Sequence, residues 1–264
     1  MSTKFTLPNK VIGPEANASV VDWSRTSSGE ELGISVAETT QRFVYGTRYV
    51  TWDGRVYKYM GLTTGGCVSY HGVASTAEAA LSYTVNPLAT SIGGTSITAT
   101  VDTITEDQFS GGFAYIYKAT GDNSIIRQIV GNDATSGTTT KFYLERPLEV
   151  ATTTSDYHEI YANPYRLVSG STNSTAAWMG VPTVTAATGY NVWVQTWGPA
   201  LIGAGNTTLD DAAADERTVF WLGNGTLAEV GGTPTAGENQ VAGYILNAGT
   251  GDIAGPMIYL MCST

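Results

Sequence analysis

Short apolar runs separated by turn residues fill the middle and the C-terminal part of this 264-residue chain. Turns that recur every 8 to 14 residues or so are typical of antiparallel sandwiches and barrels, in which each strand crosses the core once. The pattern therefore predicts an all-β fold. The runs lie at 97–101, 113–117, 125–130, 142–144, 158–161, 190–197, 199–202, 219–222, 226–230, 241–246 and 257–262.

Composition argues in the same direction. The chain contains 31 glycines, and 14% of its residues are charged, against about 25% in an average soluble domain. Residues that favour exposed helix positions are therefore scarce. One capping-box sequence, Ser75-Thr-Ala-Glu78, precedes a short apolar run and is the clearest candidate among at most one or two short helices.

We expect four segments along the chain. Residues 1–36 show no hydrophobic period and predict an extended N-terminal arm. Residues 37–90 are expected to hold an aromatic β-hairpin and a connecting segment, and residues 91–166 a middle antiparallel β-domain. Residues 167–264 are expected to form a C-terminal β-barrel or sandwich. This last boundary falls at a small polar stretch, after which Arg217 is the sole basic residue against seven acidic ones.

An alternating aromatic run ends at the turn sequence Asp53-Gly54, and a second strand follows from Arg55. With a two-residue loop, Trp52 opposes Arg55 and Arg48 opposes Tyr59, which places cations beside aromatic rings on one face. An isolated hairpin is only marginally stable in water. We therefore expect this hairpin to dock on another surface, for which another subunit is a candidate.

Charge and hydropathy exclude several classes of partner. The formal net charge of −10 repels phosphate backbones and anionic lipids, so nucleic acid and membrane are not expected as partners. No apolar stretch approaches the roughly 18 residues that a membrane-spanning helix needs. Charged residues and a proline interrupt the first ten residues, so a secretion signal is not expected.

The sequence offers few groups for catalysis. It lacks the Gly-Lys-Ser/Thr triplet of a phosphate-binding loop. On a strand, Cys67 and His71 would lie about 13 Å apart, too far for an ion pair, and His158 is expected on the surface of a strand. Cys67 and Cys262 are interpreted as packed thiols. We assign no catalytic, cofactor-binding or metal-binding residue.

Two possibilities involving carboxylates stay open. The acidic stretch 210–216 could supply oxygen ligands to calcium, although it lacks the alternating ligands and the central glycine of a known loop type. The alternative is a solvated acidic loop. Paired carboxylates from distant strands, as in glycosidases, are not recognisable in a single sequence.

The aromatic residues carry the remaining signal. Trp193 and Trp197 are four residues apart and would share one face of a strand. They either pack under a loop of their own domain or contact a partner subunit or a glycan. The candidate partner interface comprises Arg48, Trp52, Arg55, Tyr57, Tyr59, Trp193 and Trp197.

Five segments form a recognisable group: Gly46-Thr-Arg-Tyr-Val50, Trp52-Asp-Gly-Arg-Val-Tyr57, Ala177-Trp-Met-Gly-Val-Pro182, Tyr190-Asn-Val-Trp-Val-Gln-Thr-Trp-Gly-Pro199 and Val241-Ala-Gly-Tyr-Ile-Leu246. They resemble motifs of virion structural proteins of tailed bacteriophages, in particular decoration or cement proteins of the head. The resemblance covers about residues 42–61 and 91–264.

The resemblance implies a non-enzymatic, cofactor-free protein that stabilises the assembled head by bridging subunits of the major capsid protein. It also implies a homotrimer on the capsid surface, assembled in the host cytoplasm. Two alternatives remain: a receptor- or glycan-binding virion spike or head fibre, and a component of the tail tube or connector. A hydrolase of the host wall is a third, weaker option.

Overall fold

We describe the fold from a computed structural model. It describes residues 33–75, 82–101, 103–119, 124–170, 176–203, 217–229, 240–247 and 255–262. Within these ranges the chain forms sixteen β-strands and no helix, which confirms the all-β prediction.

Ten of the strands coincide with predicted apolar runs, and two form the predicted hairpin. The strands at 73–75, 82–87, 168–169 and 178–182 correspond to no predicted run. The sixteen strands are β1 (Arg48–Val50), β2 (Val56–Gly61), β3 (Val73–Ser75), β4 (Ser82–Pro87), β5 (Ser96–Thr100), β6 (Phe113–Tyr117), β7 (Ser124–Asn132), β8 (Thr139–Leu144), β9 (Tyr157–Tyr161), β10 (Val168–Ser169), β11 (Trp178–Pro182), β12 (Asn191–Leu201), β13 (Thr218–Trp221), β14 (Leu227–Glu229), β15 (Val241–Asn247) and β16 (Met257–Met261).

The chain divides into two compact units. Unit 1 combines residues 1–76 with residues 165–264, and unit 2 consists of residues 77–164. Unit 2 is therefore inserted in the sequence of unit 1. The two strands of unit 1 on either side of this insertion, β3 and β10, pair antiparallel with each other, and Ser75 lies opposite Val168.

Unit 1 contains a ten-stranded antiparallel sheet. The order along the sheet is β10-β3-β11-β12-β16-β15-β13-β14, and the hairpin β1-β2 joins through β2 to β12. Strand β12 is the longest, and it pairs with β2, β11 and β16. The predicted apolar C-terminal strand is β16, which is held between β12 and β15.

Unit 2 is a closed barrel of six strands in the order β4-β5-β8-β7-β6-β9. Buried and more exposed residues alternate along β5, β6, β7, β8 and β9, as is usual in a closed barrel. The inward side chains form one apolar core, which includes Ile97, Phe109, Ile116, Ile129, Phe142, Leu148 and Ile160.

The units divide the chain differently from the four predicted segments. The segment 37–90 was expected to hold an aromatic hairpin and a connecting segment, but it is divided between the two units. Its residues up to Ser75 contribute β1, β2 and β3 to the same sheet as the C-terminal strands. Ile34, at the end of the predicted arm, is buried in unit 1. Local sequence patterns do not report such pairing, since residues far apart in the chain make it.

Two predictions fall partly outside the described ranges. Residues 1–32 of the expected arm are not described. The capping-box helix was expected from Ser75, which ends β3, while residues 76–81 lie outside the described residues.

Candidate functional site

The turn of the β1-β2 hairpin is one residue longer than predicted. The amide of Thr51 donates to the carbonyl of Arg55 at 2.9 Å, and the amide of Gly54 donates to the carbonyl of Thr51 at 3.0 Å. Gly54 adopts a left-handed conformation with φ of 85°. Together these features define a three-residue loop with a glycine bulge, which is a common hairpin connection.

This longer loop corrects the predicted register. Arg48 pairs with Lys58 rather than with Tyr59, and Tyr49 pairs with Tyr57. A slip of one residue moves every side chain of a strand to the opposite face. The expected row of cations beside aromatic rings is therefore not formed by the pairing of β1 with β2.

Three of the seven predicted interface residues are buried. Tyr57, Tyr59 and Trp193 have exposed fractions of 0%, 2% and 4%. They form an aromatic cluster with Ile34 and Tyr49. The centroids of the Tyr59 and Trp193 rings lie 5.3 Å apart in an edge-to-face arrangement. The interface prediction is corrected for these three residues: their rings stabilise unit 1 from within.

Of the two arginines of the predicted interface, Arg55 makes side-chain contacts at the hairpin turn. Arg55 donates from Nε to Asp53 Oδ2 at 2.8 Å and from Nη1 to the Tyr57 hydroxyl at 2.8 Å. Burial raises the pKa of Asp53, but hydrogen bonds from Thr51 and Arg55 and the Arg55 charge lower it overall. Arg48 is half-buried. Arg55 therefore rigidifies the turn.

Trp52 is the most exposed residue of the predicted interface, with 68% of its surface accessible. It sits at the tip of the β1-β2 hairpin, in the loop that Asp53 braces through the backbone and side chain of Arg55. A large ring on a rigid turn loses little conformational entropy on binding. Its position fits the expected contact with a partner.

Trp197 lies on a different face of β12 from Trp193. Trp193 pairs with Tyr59 and Gln195 pairs with Tyr57, but the next pair joins Trp197 to Val56. The extra residue, Thr196, forms a β-bulge that reverses the alternation. The buried amide of Gln195 donates to the carbonyls of Trp197, Gly198 and Pro199 at 3.2, 3.3 and 2.8 Å.

The bulge directs Trp197 to the outward face of β12, β16 and β15, which we call the unit 1 face. The Trp197 ring meets the Tyr259 ring edge-on at 5.6 Å, and Tyr259 stacks on Tyr244 at 5.3 Å. Paired positions continue the face along the strands. It comprises Trp197, Pro199, Leu201, Tyr244, Met257, Tyr259 and Met261.

The unit 1 face has no charged side chain. The sequences of β12, β15 and β16 contain no Asp, Glu, Lys, Arg or His. Leu201, Met257, Met261 and Tyr244 are nevertheless exposed. The lack of charge in these three strands is visible in the sequence. That they form one continuous surface follows only from their adjacent positions in the sheet.

Inside the barrel, His158 corrects a second prediction. It was expected on a strand surface, but it is fully buried, and neither ring nitrogen has a hydrogen-bond partner among the described residues. Burial lowers its pKa to about 4, although the nearby Asp156 charge acts in the opposite direction. His158 is therefore neutral near pH 7.

A buried ion pair lies next to His158. Lys118 Nζ bonds to Asp156 Oδ2, and their side chains are 11% and 2% exposed. Asp156 also accepts from the amides of Ala119 and Thr153 at 2.9 and 2.7 Å. Burial raises the pKa of Asp156, but these hydrogen bonds and the Lys118 charge lower it to about 2. The carboxylate is thus fully committed to structural contacts.

Cys67 and Cys262 have free thiols. The Cys67 thiol donates to the carbonyl of Val184 at 3.3 Å. Burial raises the pKa of Cys67 to about 11 and that of Cys262 to about 12, so both are protonated at neutral pH. Protonated, buried thiols are poor nucleophiles.

Among the described residues, no group of three or more His, Cys, Asp or Glu side chains could hold a metal ion. The acidic stretch 210–216 lies outside the described residues. No helix within the described ranges is long and apolar enough to span a membrane.

Comparison with protein-family models, with curated proteins and with solved structures finds no match to this chain. Its function must therefore be inferred from its residues and their geometry.

Proposed function

We propose that the chain is a non-enzymatic structural protein of a tailed-phage virion, of the capsid decoration type. In this role it binds the assembled head and bridges subunits of the major capsid protein. The observation that carries the proposal is the uncharged, aromatic unit 1 face, with its ladder of Trp197, Tyr259 and Tyr244. The sequence resemblance to head decoration proteins supplies the identity of the partner.

The composition of the unit 1 face supports a protein partner. Contiguous exposed apolar surface is rare on monomers and marks binding sites. The cores of protein interfaces are depleted in charge and enriched in aromatic residues and Met. The face meets both conditions, since it joins Trp and Tyr rings to Met257 and Met261 and lacks charge.

Trp52 supplies a second anchor. Trp is among the residues that contribute most to binding when they enter a pocket of the partner. Trp52 projects from a turn that Asp53 and Arg55 hold rigid. An anchor at Trp52 in addition to the unit 1 face would let one chain contact more than one subunit of a shell.

Charge and mass action support binding to the outside of a shell. The net charge of −10 disfavours contact with packaged nucleic acid. A site that is complete only on the assembled head stabilises that state by preferential binding. The proposed role therefore needs no chemical step.

Co-sedimentation with expanded, empty capsids tests the proposal. The capsids are assembled from the major capsid protein encoded in the same genome. We expect saturable binding by the full chain, and at least about 30-fold weaker binding for Leu201→Glu and Met257→Glu, since loss of a central contact costs ~2 kcal/mol or more. Trp52→Ala should weaken binding similarly.

Ile126→Glu is the matched control for Leu201→Glu, because Ile126 is about as exposed as Leu201 but lies on the barrel. It should bind capsids as the parent chain does. Deletion of residues 1–32, which retains the buried Ile34, measures the contribution of the expected arm. Sedimentation equilibrium measures the expected trimer. Absence of binding to capsids, or binding to isolated tails instead, would overturn the proposal.

A further inference from the structure

The outer wall of the unit 2 barrel carries a second exposed aromatic surface. It lies on the adjacent strands β7, β6 and β9, and we call it the tyrosine face. Its exposed members have between 38% and 63% of their surface accessible, and Tyr115 between them is half-buried. The tyrosine face comprises Phe113, Tyr115, Tyr117, Ile126, Val130, Tyr157 and Tyr161.

Strand pairing arranges these side chains in rows across the barrel wall. Phe113 pairs with Tyr161, and Tyr117 pairs with Tyr157. Paired side chains lie about 5 Å apart, and positions four residues apart on a strand lie about 13 Å apart. The outward positions therefore form two rows, with Tyr115 between them, and the Tyr115 ring meets the Tyr117 ring edge-on at 4.2 Å.

A single carboxylate lies beside Tyr115, between the two rows of rings. Glu159 pairs with Tyr115 and accepts from the Tyr161 hydroxyl at 2.5 Å. Glu159 is the one charged side chain of β6, β7 and β9 that points outward, because Arg127 and His158 point into the barrel. Hydrogen-bond acceptors thus lie directly beside apolar rings.

We infer that the tyrosine face binds a neutral polysaccharide. A sugar ring has an apolar C–H face that stacks on aromatic rings, and a rim of hydroxyl groups that donate to acceptors such as Glu159 and the tyrosine oxygens. Tyrosine, with a flat ring and a polar tip, meets both requirements at once. A platform about 13 Å long accommodates more than one sugar unit.

Charge separates this occupant from three others. Stacking platforms for nucleic acid need a basic groove, and the tyrosine face has no outward cation on its three strands. An anionic polysaccharide would meet Glu159 and the net charge of −10. A symmetric contact with a second copy would bury two Glu159 carboxylates near its centre, which is costly.

The inference is independent of capsid binding, because it rests on unit 2 and the proposed function rests on unit 1. Affinity electrophoresis of the full chain tests it, in native gels that contain dextran, galactomannan or hydroxyethylcellulose. We expect at least one of these neutral polymers to retard the chain. Tyr157→Ala should weaken retardation about tenfold or more, whereas Tyr157→Phe should retain it because the ring remains.

Leu201→Glu is the matched control and should be retarded like the parent chain, while its capsid binding is weakened. The inference is wrong if no gel retards the chain, if Tyr157→Ala behaves like the parent, or if alginate is bound in preference to the neutral polymers. It is also wrong if Tyr157→Ala abolishes capsid binding or dissociates an oligomer. Those last outcomes would assign the tyrosine face to a protein contact.

Discussion

Trp193 and Trp197 point to opposite faces of β12 although only three residues lie between them. The bulge at Thr196 breaks the alternation, so that Trp193 faces the buried aromatic cluster and Trp197 faces outward beside Tyr259. One strand thus contributes both to the interior of unit 1 and to its candidate binding surface.

Gln195→Leu should destabilise unit 1. The Gln195 amide satisfies three successive backbone carbonyls at the bulge, and its loss leaves buried acceptors without a donor. We expect the free energy of unfolding to fall by ~1–3 kcal/mol in urea denaturation. Gln41→Leu, which removes an exposed hydrogen bond to Phe43, is the control and should change stability by less than about 0.5 kcal/mol. Equal effects of the two substitutions would contradict this role of Gln195.

His158→Leu should change how stability depends on pH. The pKa of His158 is about 4 in the folded barrel and about 6.5 in an unfolded chain, so the unfolded state binds more protons between these values. Stability therefore falls as the pH drops from 6.5 towards 4, by at most about 1.4 kcal/mol per pH unit from this residue. Urea denaturation at pH 7, 5.5 and 4.5 should show a shallower slope for the variant. The other histidine, His71, is common to both proteins, so parallel slopes would disprove the prediction.

Asp156→Asn should destabilise unit 2 by about 3 kcal/mol or more. The substitution leaves the Lys118 ammonium buried without a counter-ion. The double variant Lys118→Met, Asp156→Leu should recover part of the loss, because it removes both charges. Arg146→Ala breaks the exposed pair with Glu145 and should cost less than about 1 kcal/mol. Thermal unfolding followed by circular dichroism distinguishes these cases, and a loss from Asp156→Asn no larger than that from Arg146→Ala would refute the buried pair's role.

Cys67 should react slowly in the native protein. Its thiol is buried and its pKa is raised to about 11, so little thiolate forms at pH 8. In a Cys262→Ser variant, labelling with an aromatic disulfide reagent should proceed only at the rate of unfolding and become fast in urea. Rapid labelling without denaturant would show that Cys67 is accessible after all.

Local patterns were sufficient where a short apolar run lies between turn residues. The run 113–117 follows Gly111-Gly112, and β6 has the predicted bounds. Such a segment can be located without knowing its pairing partner, because its length and its flanking turn residues are local features.

The alternation of side chains along a strand predicts that His158 is buried. It shares a strand face with Ile160, the aliphatic residue of that strand, and Ile160 is buried in the barrel core. The surface prediction used the alternation of neighbouring side chains only to exclude a local triad. The spacing of two residues between His158 and Ile160 was the better guide to the burial of His158.

The hairpin register and the division into units could not be read from local patterns. Asp53-Gly54 is compatible with loops of two or three residues, and a hydrogen bond between Thr51 and Arg55 selects the longer one. The pairing of β2 with β12 joins residues from Asn191 with Gly61 to Trp197 with Val56, which are far apart in the sequence. Nothing in either segment alone specifies that partner.

The pairing of Ser75 with Val168 has a consequence for how the chain tolerates change. The whole of unit 2 departs from and returns to adjacent positions of neighbouring strands, where a short turn could close the gap. In the sequence, the barrel thus takes the place of the turn that would otherwise join β3 to β10. Exchanging it for another domain with adjacent termini would alter what the protein displays and leave the hydrogen-bonded framework around β12 intact.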